Sequence, residues 1–236
     1  MVRFSLVRRR QVSLPTIAGW LLLAGIAVTL SVFAGLCIHP YLAANAPVPG
    51  TRLLVVEGWL EPKELDQAIA VFKNGRYKQL VTTGGPIERW PELFPARNYA
   101  DLAAAYIRKQ GLEDAAVTAV PAPASAQDRT FLSAVKLRNW MKQQGPGFDS
   151  LDIFSGATHA RRSRMVFRMA LGPNVAVGII SSRPQQYDED HWWRTSAGVK
   201  SVIGETISLV WTVCCFYPPP QGSHEERWAV PREGSS

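Results

Sequence analysis

The chain has 236 residues, 47% hydrophobic and 19% charged, a balance that excludes both a disordered tail and a small disulfide-dependent scaffold. Its net charge of +7 is unevenly spread: Arg3, Arg8, Arg9 and Arg10 are the only charged residues among the first fifty, and over residues 51–236 the 22 basic side chains nearly balance 19 acidic ones. This is a basic leader and not a basic face, so composition does not point to nucleic acid as a partner.

Residues 1–13 form a basic arm. Residues 11–51 carry no Asp, Glu, Lys or Arg, and within them 17–38 is a nearly unbroken apolar run, long enough to cross about 30 Å of hydrocarbon as a helix. With four arginines before the run and none after it, the positive-inside rule predicts a single-pass anchor over 14–40 in the inner (plasma) membrane. The amino terminus is then cytoplasmic, and everything beyond about Tyr41 is periplasmic or otherwise extracytoplasmic. Trp20 and Tyr41 stand where interfacial aromatics belong. A cleaved secretory signal is the alternative, with Ala44-Asn45-Ala46 as the small-residue cleavage site, but the apolar run exceeds the roughly 7–15 residues of a signal core. Leu36 before Cys37 argues against a lipoprotein, and the adjacent Cys214 and Cys215 bridge only with strain. The exported domain therefore depends on its hydrophobic core.

Residues 41–51 read as a proline-bearing linker. From 52 to 217 the pattern alternates. A buried-strand run at 52–56 precedes a helix with Leu65, Ala68, Ile69 and Phe72 on one face and Gly75 as its stop. A second strand covers 79–83, a second helix 98–110, and a third strand 116–120. Ser125-Ala126-Gln127-Asp128 resembles a capping box before a helix striped with Phe131, Ala134, Leu137 and Met141. A fourth strand at 151–154 leads to a helix ending at Gly172, then a fifth strand at 175–180. The last helix carries Val199, Val202, Ile203, Ile207 and Val210, and its apolar stretch 206–217, too short to span a bilayer, is expected to cover the core or to return toward the membrane surface. Residues 218–236 form a polar tail. Short strands alternating with longer helices predict βαβ units, hence an α/β fold with a mostly parallel sheet of about five strands covered on both faces.

In such a sheet, ligands bind outside the carboxyl ends of the strands, and the polar residues concentrate there. Those ends carry Glu57, then Thr83-Gly84-Gly85, then Asp128-Arg129-Thr130, then the segment from His159 to Arg164, and last Tyr187 to Arg194. Arginines in the first turn of a helix face the positive end of its dipole, an arrangement that makes sense if an anion docks there. His159, Arg161 and Arg162 are therefore candidates for anion binding, with His159 the general acid/base. Glu57 is either a site carboxylate or the partner of one of those arginines. Asp128 is either a helix cap or a site acid, and Thr83-Gly84-Gly85 either a tight turn or a ligand contact. Trp192 and Trp193 read as core or wall. His39, His159, His191 and His224 lack ligand spacing, so no metal site is expected, and no Walker loop, nucleophile elbow or dinucleotide fingerprint points to a cofactor.

Taken together, Val55-Val56-Glu57-Gly58-Trp59, Thr83-Gly84-Gly85, Asp128-Arg129-Thr130, His159-Ala160-Arg161-Arg162, His191-Trp192-Trp193-Arg194 and Gly204-Glu205 resemble the SanA/YdcF/ElyC family of bacterial envelope proteins. The resemblance spans about residues 52–211. It implies a Rossmann-like three-layer αβα sandwich behind one transmembrane helix, with a role in peptidoglycan or surface-polysaccharide metabolism and envelope integrity. Glu57-Gly58-Trp59 here replaces the glycine-rich turn commoner in that family.

These residues predict a membrane-anchored protein that binds an anionic, phosphorylated envelope intermediate such as a lipid-linked sugar. If it is an enzyme, its chemistry would be transfer or hydrolysis at a phosphoryl or glycosyl centre. Arg129, Arg161, Arg162 and Arg194 would contact the anion, together with Glu57, Thr83, Gly84, Gly85, Asp128 and Thr130. The alternative is a non-enzymatic envelope factor whose surface binds or regulates a partner complex, with Trp192 exposed on a flat face.

Overall fold

The computed structural model describes residues 14–87, 96–125, 129–145, 147–223 and 226. It divides into two compact units, Met1–Ile38 and His39–Ser236. The first is described by helix α1 (Ile17–Leu42), whose final turn belongs to the second unit. α1 is long and apolar enough to cross a membrane, and its apolar side chains are exposed along the run, as a lipid-facing helix requires.

The second unit alternates strand and helix: β1 (Leu53–Glu57), α2 (Pro62–Asn74), β2 (Gln79–Gly84), α3 (Tyr99–Lys109), β3 (Val117–Pro121), α4 (Arg129–Gln143), β4 (Ser150–Ser155), α5 (Ala160–Leu171), β5 (Ala176–Ser181) and α6 (Ser196–Cys215). Local chemistry sets these boundaries. Pro62 opens α2 behind a capping box of Glu61 and Glu64, and the Asn98 side chain accepts the Asp101 amide at 2.8 Å to cap α3. Gly172, at φ 85°, ends α5.

All pairings are parallel, in the order β3-β2-β1-β4-β5. β1 alternates between faces. Leu53 and Val55 pack with α4 and α5 through Phe131, Leu137, Val166 and Phe167, while Leu54 and Val56 pack with α2 and α3 through Leu65, Ile69, Ala103 and Ile107. The unit is thus an αβα sandwich of Rossmann type. Right-handed crossovers require this placement: the chain moves outward from β1 to β3 over one face, then returns to β4 over the other. The reversal opens a crevice between the carboxyl ends of β1 and β4.

The expected linker is not a free tether. Ala46 bridges Ile179 antiparallel, the Val48 amide donates to Asp152 Oδ1 at 2.7 Å, and His39 and Leu42 are buried. The compact unit accordingly starts at His39, ahead of the boundary expected at 52. Burial pushes the Asp152 carboxyl up, against hydrogen bonds from Val48 and Tyr77 and the nearby Arg164 charge. Glu226 is held as well, in a buried bidentate pair with Arg138 at 2.8 and 2.6 Å.

The stripe expected on α6 is split, with Val202 inward and its other four members outward. Gly198, Val202, Leu209 and Thr212 face the domain, whereas Val199, Ile203, Ile207 and Val210 point outward.

Gly58 follows β1 where a Cβ would lie 2.4 Å from the Tyr99 carbonyl oxygen and 2.9 Å from that of Thr83, both backbone atoms unable to yield. Gly58→Ala should therefore destabilise the domain by about 1–3 kcal/mol through overpacking, read as a lowered thermal midpoint.

Candidate functional site

The crevice between β1 and β4 is closed at its base by a buried carboxylate. Glu57, the last residue of β1, is 4% exposed. Ser155, at the end of β4, donates its hydroxyl to Glu57 Oε2, and the Ser163 hydroxyl from the first turn of α5 lies 3.1 and 3.0 Å from the two carboxylate oxygens. A carboxyl group withdrawn from water needs such donors, because leaving one unbonded costs about 1–3 kcal/mol or more.

His159 stands beside it, at the end of a 3-10 turn (Ala157–His159) that leads into α5. Its Nε2 is buried, makes no hydrogen bond, and lies 3.7 Å from Glu57 Oε1. Its Nδ1 lies 2.9 Å from Glu205 Oε1 on α6, and Arg162 holds the same carboxylate in a fork, Nε to Oε2 at 2.8 Å and Nη2 to Oε1 at 3.1 Å. Trp59 meets the imidazole edge-on, with ring centroids 5.2 Å apart.

Nδ1 is also 2.8 Å from Arg162 Nη2. A guanidinium only donates and an ionised carboxylate only accepts, so Nδ1 can serve one of them at a time. Burial raises the Glu205 carboxyl, but the hydrogen bonds and charges of His159 and Arg162 outweigh it and hold the group at about 2. Glu205 is therefore ionised near neutrality and takes the Nδ1 proton. That tautomer follows from the hydrogen-bond network and leaves Nε2 as the atom that can accept a proton.

Glu57, Thr83, Gly84, Gly85, Arg129, Thr130, His159 and Arg162, all expected from the sequence, line one cavity of ≈ 570 Å³. Ser133, Trp211 and Phe216 complete parts of its wall. Gly84 is required by packing, since a Cβ there would lie 2.8 Å from Tyr99 Cβ, whereas at Gly85 the nearest atom is 3.9 Å away. A second cavity of ≈ 480 Å³ shares Trp59, His159 and Glu205 with the first and continues over Glu61, Tyr187 and Lys200.

Other expectations need correction. Arg161 does not join the cavity wall: its guanidinium lies 3.9 Å above the Tyr41 ring and its Nε donates to the Tyr41 carbonyl. Consecutive helix positions diverge by about 100°, and here Arg161 turns to Tyr41 while Arg162 turns to the cavity. Arg164 donates to the Val177 carbonyl at 2.9 Å. Arg194, in the 3-10 turn Trp192–Arg194, is exposed and lies outside the cavity wall. Asp128 lies outside the described residues. Of the four arginines expected to gather on one anion, Arg129 and Arg162 line the cavity and Arg161 and Arg194 do not, and Arg162 is paired within the chain with Glu205. Trp192 is buried and Trp193 exposed.

Sequence reasoning assigned no site role to Glu205, Ser155 or Ser163. For Glu205 a signal existed, as it is the only Asp, Glu, Lys or Arg in residues 201–220. A lone carboxylate in an apolar helix needs a partner. The two serines look like any strand-end or helix hydroxyl. Among the described residues no group of three His, Cys, Asp or Glu side chains is placed to hold a metal ion. Neither the models of known protein families nor the curated proteins match this chain.

The Glu205 network links stability to pH. Because the folded-state carboxyl sits at about 2 and its ordinary value is 4.5, its stabilisation is complete above pH 4.5 and disappears as pH falls toward 2. Glu205→Gln should cost about 3 kcal/mol near neutrality, and denaturant titrations should show the two proteins converging as pH approaches 2.

Proposed function

We propose that this protein is a single-pass anchor protein of the inner membrane. Its extracytoplasmic domain binds a phosphorylated cell-envelope intermediate, such as a lipid-linked or nucleotide-linked sugar. It catalyses transfer or hydrolysis at a phosphoryl or glycosyl centre of that compound. The observation that carries the reading is the imidazole of His159, with Nδ1 fixed by an ionised carboxylate and Nε2 buried without a hydrogen-bond partner at a cavity wall.

The chemistry follows from that placement. Nε2 removes a proton from an attacking water or hydroxyl and returns it to the leaving oxygen. Glu205 keeps the ring oriented and Glu57, 3.7 Å away, stabilises the imidazolium formed in between. Arg129 and Thr130, in the first turn of α4, bring a guanidinium and a hydroxyl to the same wall, the donor types that recognise phosphate oxygens. Placement in the SanA/YdcF/ElyC family, and with it a role in peptidoglycan or surface-polysaccharide metabolism, belongs to the same proposal. What supports it is that Glu57, Thr83–Gly85, Thr130, His159, Arg162 and Glu205, drawn from five separate stretches of the resemblance, surround one cavity. A concave wall and a buried Trp192 favour this over a flat surface that docks a partner protein.

An uncleaved anchor is supported by residues 39–46, since removal at Ala46 would strip the buried His39 and Leu42 from the domain and sever the bridge to Ile179.

The test uses the full chain in detergent with a mixture of lipid-linked and nucleotide-linked sugar phosphates, products being read by mass spectrometry. His159→Gln should lower turnover by about 10²–10⁴-fold with little change in binding. Arg129→Ala should weaken binding and leave the thermal midpoint nearly unaltered, because Arg129 is exposed. Full turnover by His159→Gln would refute the acid/base role.

A further inference from the structure

Helix α6 presents three distinct faces. Gly198, Val202, Leu209 and Thr212 are buried against the domain, and Phe216 just beyond the helix packs on Phe131. A second face lines the smaller cavity with Ala197, Ser201, Gly204 and Ser208. The third carries Val199, Ile203, Ile207, Val210 and Val213, flanked by Trp211, all exposed. Their spacing of three and four residues makes one continuous stripe over about four turns, extended by the exposed Tyr217. Single exposed apolar residues are ordinary, but a contiguous stripe of this length marks a surface that water is not meant to cover.

We propose that this outward face of α6 lies in the surface of a lipid bilayer, giving the domain a second, interfacial attachment beside its anchor. Three observations point to lipid as the occupant. The apolar run of α1 ends at Ile38 and the domain begins at His39, so no residue of the chain separates the candidate span from the domain. Lys200 and Glu205 are the only charged residues of α6, and neither belongs to the stripe: Lys200 lines the smaller cavity and Glu205 is engaged by His159 and Arg162. The far end of the stripe carries Trp211 and Tyr217, residues that favour the headgroup region.

The geometry also decides between lying on the bilayer and crossing it. α6 is apolar and long enough to count as a candidate span. Yet its inner face is packed on the domain from Gly198 to Thr212, and its carboxylate is tied to Arg162 and His159. Crossing would carry those charged groups into hydrocarbon, at a cost of several kcal/mol. An interfacial helix buries its apolar face at the boundary between headgroups and acyl chains and leaves the rest in water. Trp211 belongs both to this region and to the wall of the larger cavity, so docking brings that wall to the lipid surface.

The inference rests on α1 as the anchor and on none of the chemistry at His159. The experiment uses the full chain with Cys37, Cys214 and Cys215 replaced by Ser, reconstituted into vesicles of phosphatidylethanolamine and phosphatidylglycerol. A polarity-sensitive fluorophore is attached in turn to Ile203→Cys, Ile207→Cys and, as a control, Glu113→Cys. Because these positions are exposed, folding should be preserved, and two α6 sites guard against one failing. At both α6 positions the emission should shift to the blue and be quenched about two-fold or more by lipid nitroxides near the headgroup, less by nitroxides at the acyl-chain end. The control should respond to neither. Water-like emission at both α6 sites in vesicle-bound protein would overturn the proposal while leaving the anchor intact. Stronger quenching from the bilayer centre would overturn it in favour of a second span. Cross-linking of Ile207→Cys between copies without lipid quenching would overturn it in favour of a dimer. Failure of the chain to float with the vesicles would overturn the anchor and this proposal with it.

Discussion

The arrangement of the site depends on keeping one carboxylate out of water. Glu57 ends a strand whose other residues are fully buried, at the point where the sheet's winding reverses. Burying it demands donors, and the nearest chain segments supply them: Ser155 from the adjacent strand and Ser163 from the following helix. Both donors lie on the β4–α5 unit, so the same requirement aligns the start of α5 over the crevice. His159, four residues before Ser163, is thereby brought within 3.7 Å of the carboxylate. The catalytic candidate is positioned by the way a buried charge is satisfied.

A second carboxylate completes the set from the opposite side. Glu205 reaches His159 and Arg162 from α6, far away in the chain, and supplies the negative charge that the amino-terminal end of α5 favours. This changes the meaning of the basic first turn. Its arginines point in different directions, to Glu205, to Tyr41 and to the Val177 carbonyl, and only Arg162 reaches the cavity. At the cavity this leaves a histidine between two acids, suited to moving a proton, with Arg129 and Thr130 on another part of the wall.

The start of the domain is built by similar economy. The segment between the apolar run and β1 is pinned by Asp152 and by pairing with β5. α6 divides its circumference among the core, a polar cavity and an apolar exterior. A helix that serves three environments cannot show a simple amphipathic pattern, which is why its outward stripe reads in the sequence as a core stripe.

Much of the fold was legible because it rests on local rules. The apolar run of residues 17–38, the strand and helix alternation, and the stop at Gly172 all follow from hydropathy period and backbone freedom, which neighbouring residues determine. The strand ends that carry Glu57, Thr83 and His159 were legible for the same reason, because a parallel sheet places its sites at its carboxyl edge. The direction of each side chain about its helix axis was not. Whether Arg161 or Arg162 faces the cavity, whether Val199 or Val202 faces the core, and that Glu205 closes the network all depend on contacts between segments distant in the chain. By itself the sequence determined the anchor candidate, the α/β class and the edge on which polar groups collect, since these need only local pattern. Only tertiary structure decided the strand order, the pairing of Glu205 with His159 and the outward face of α6, because each arises from long-range packing that no short window contains.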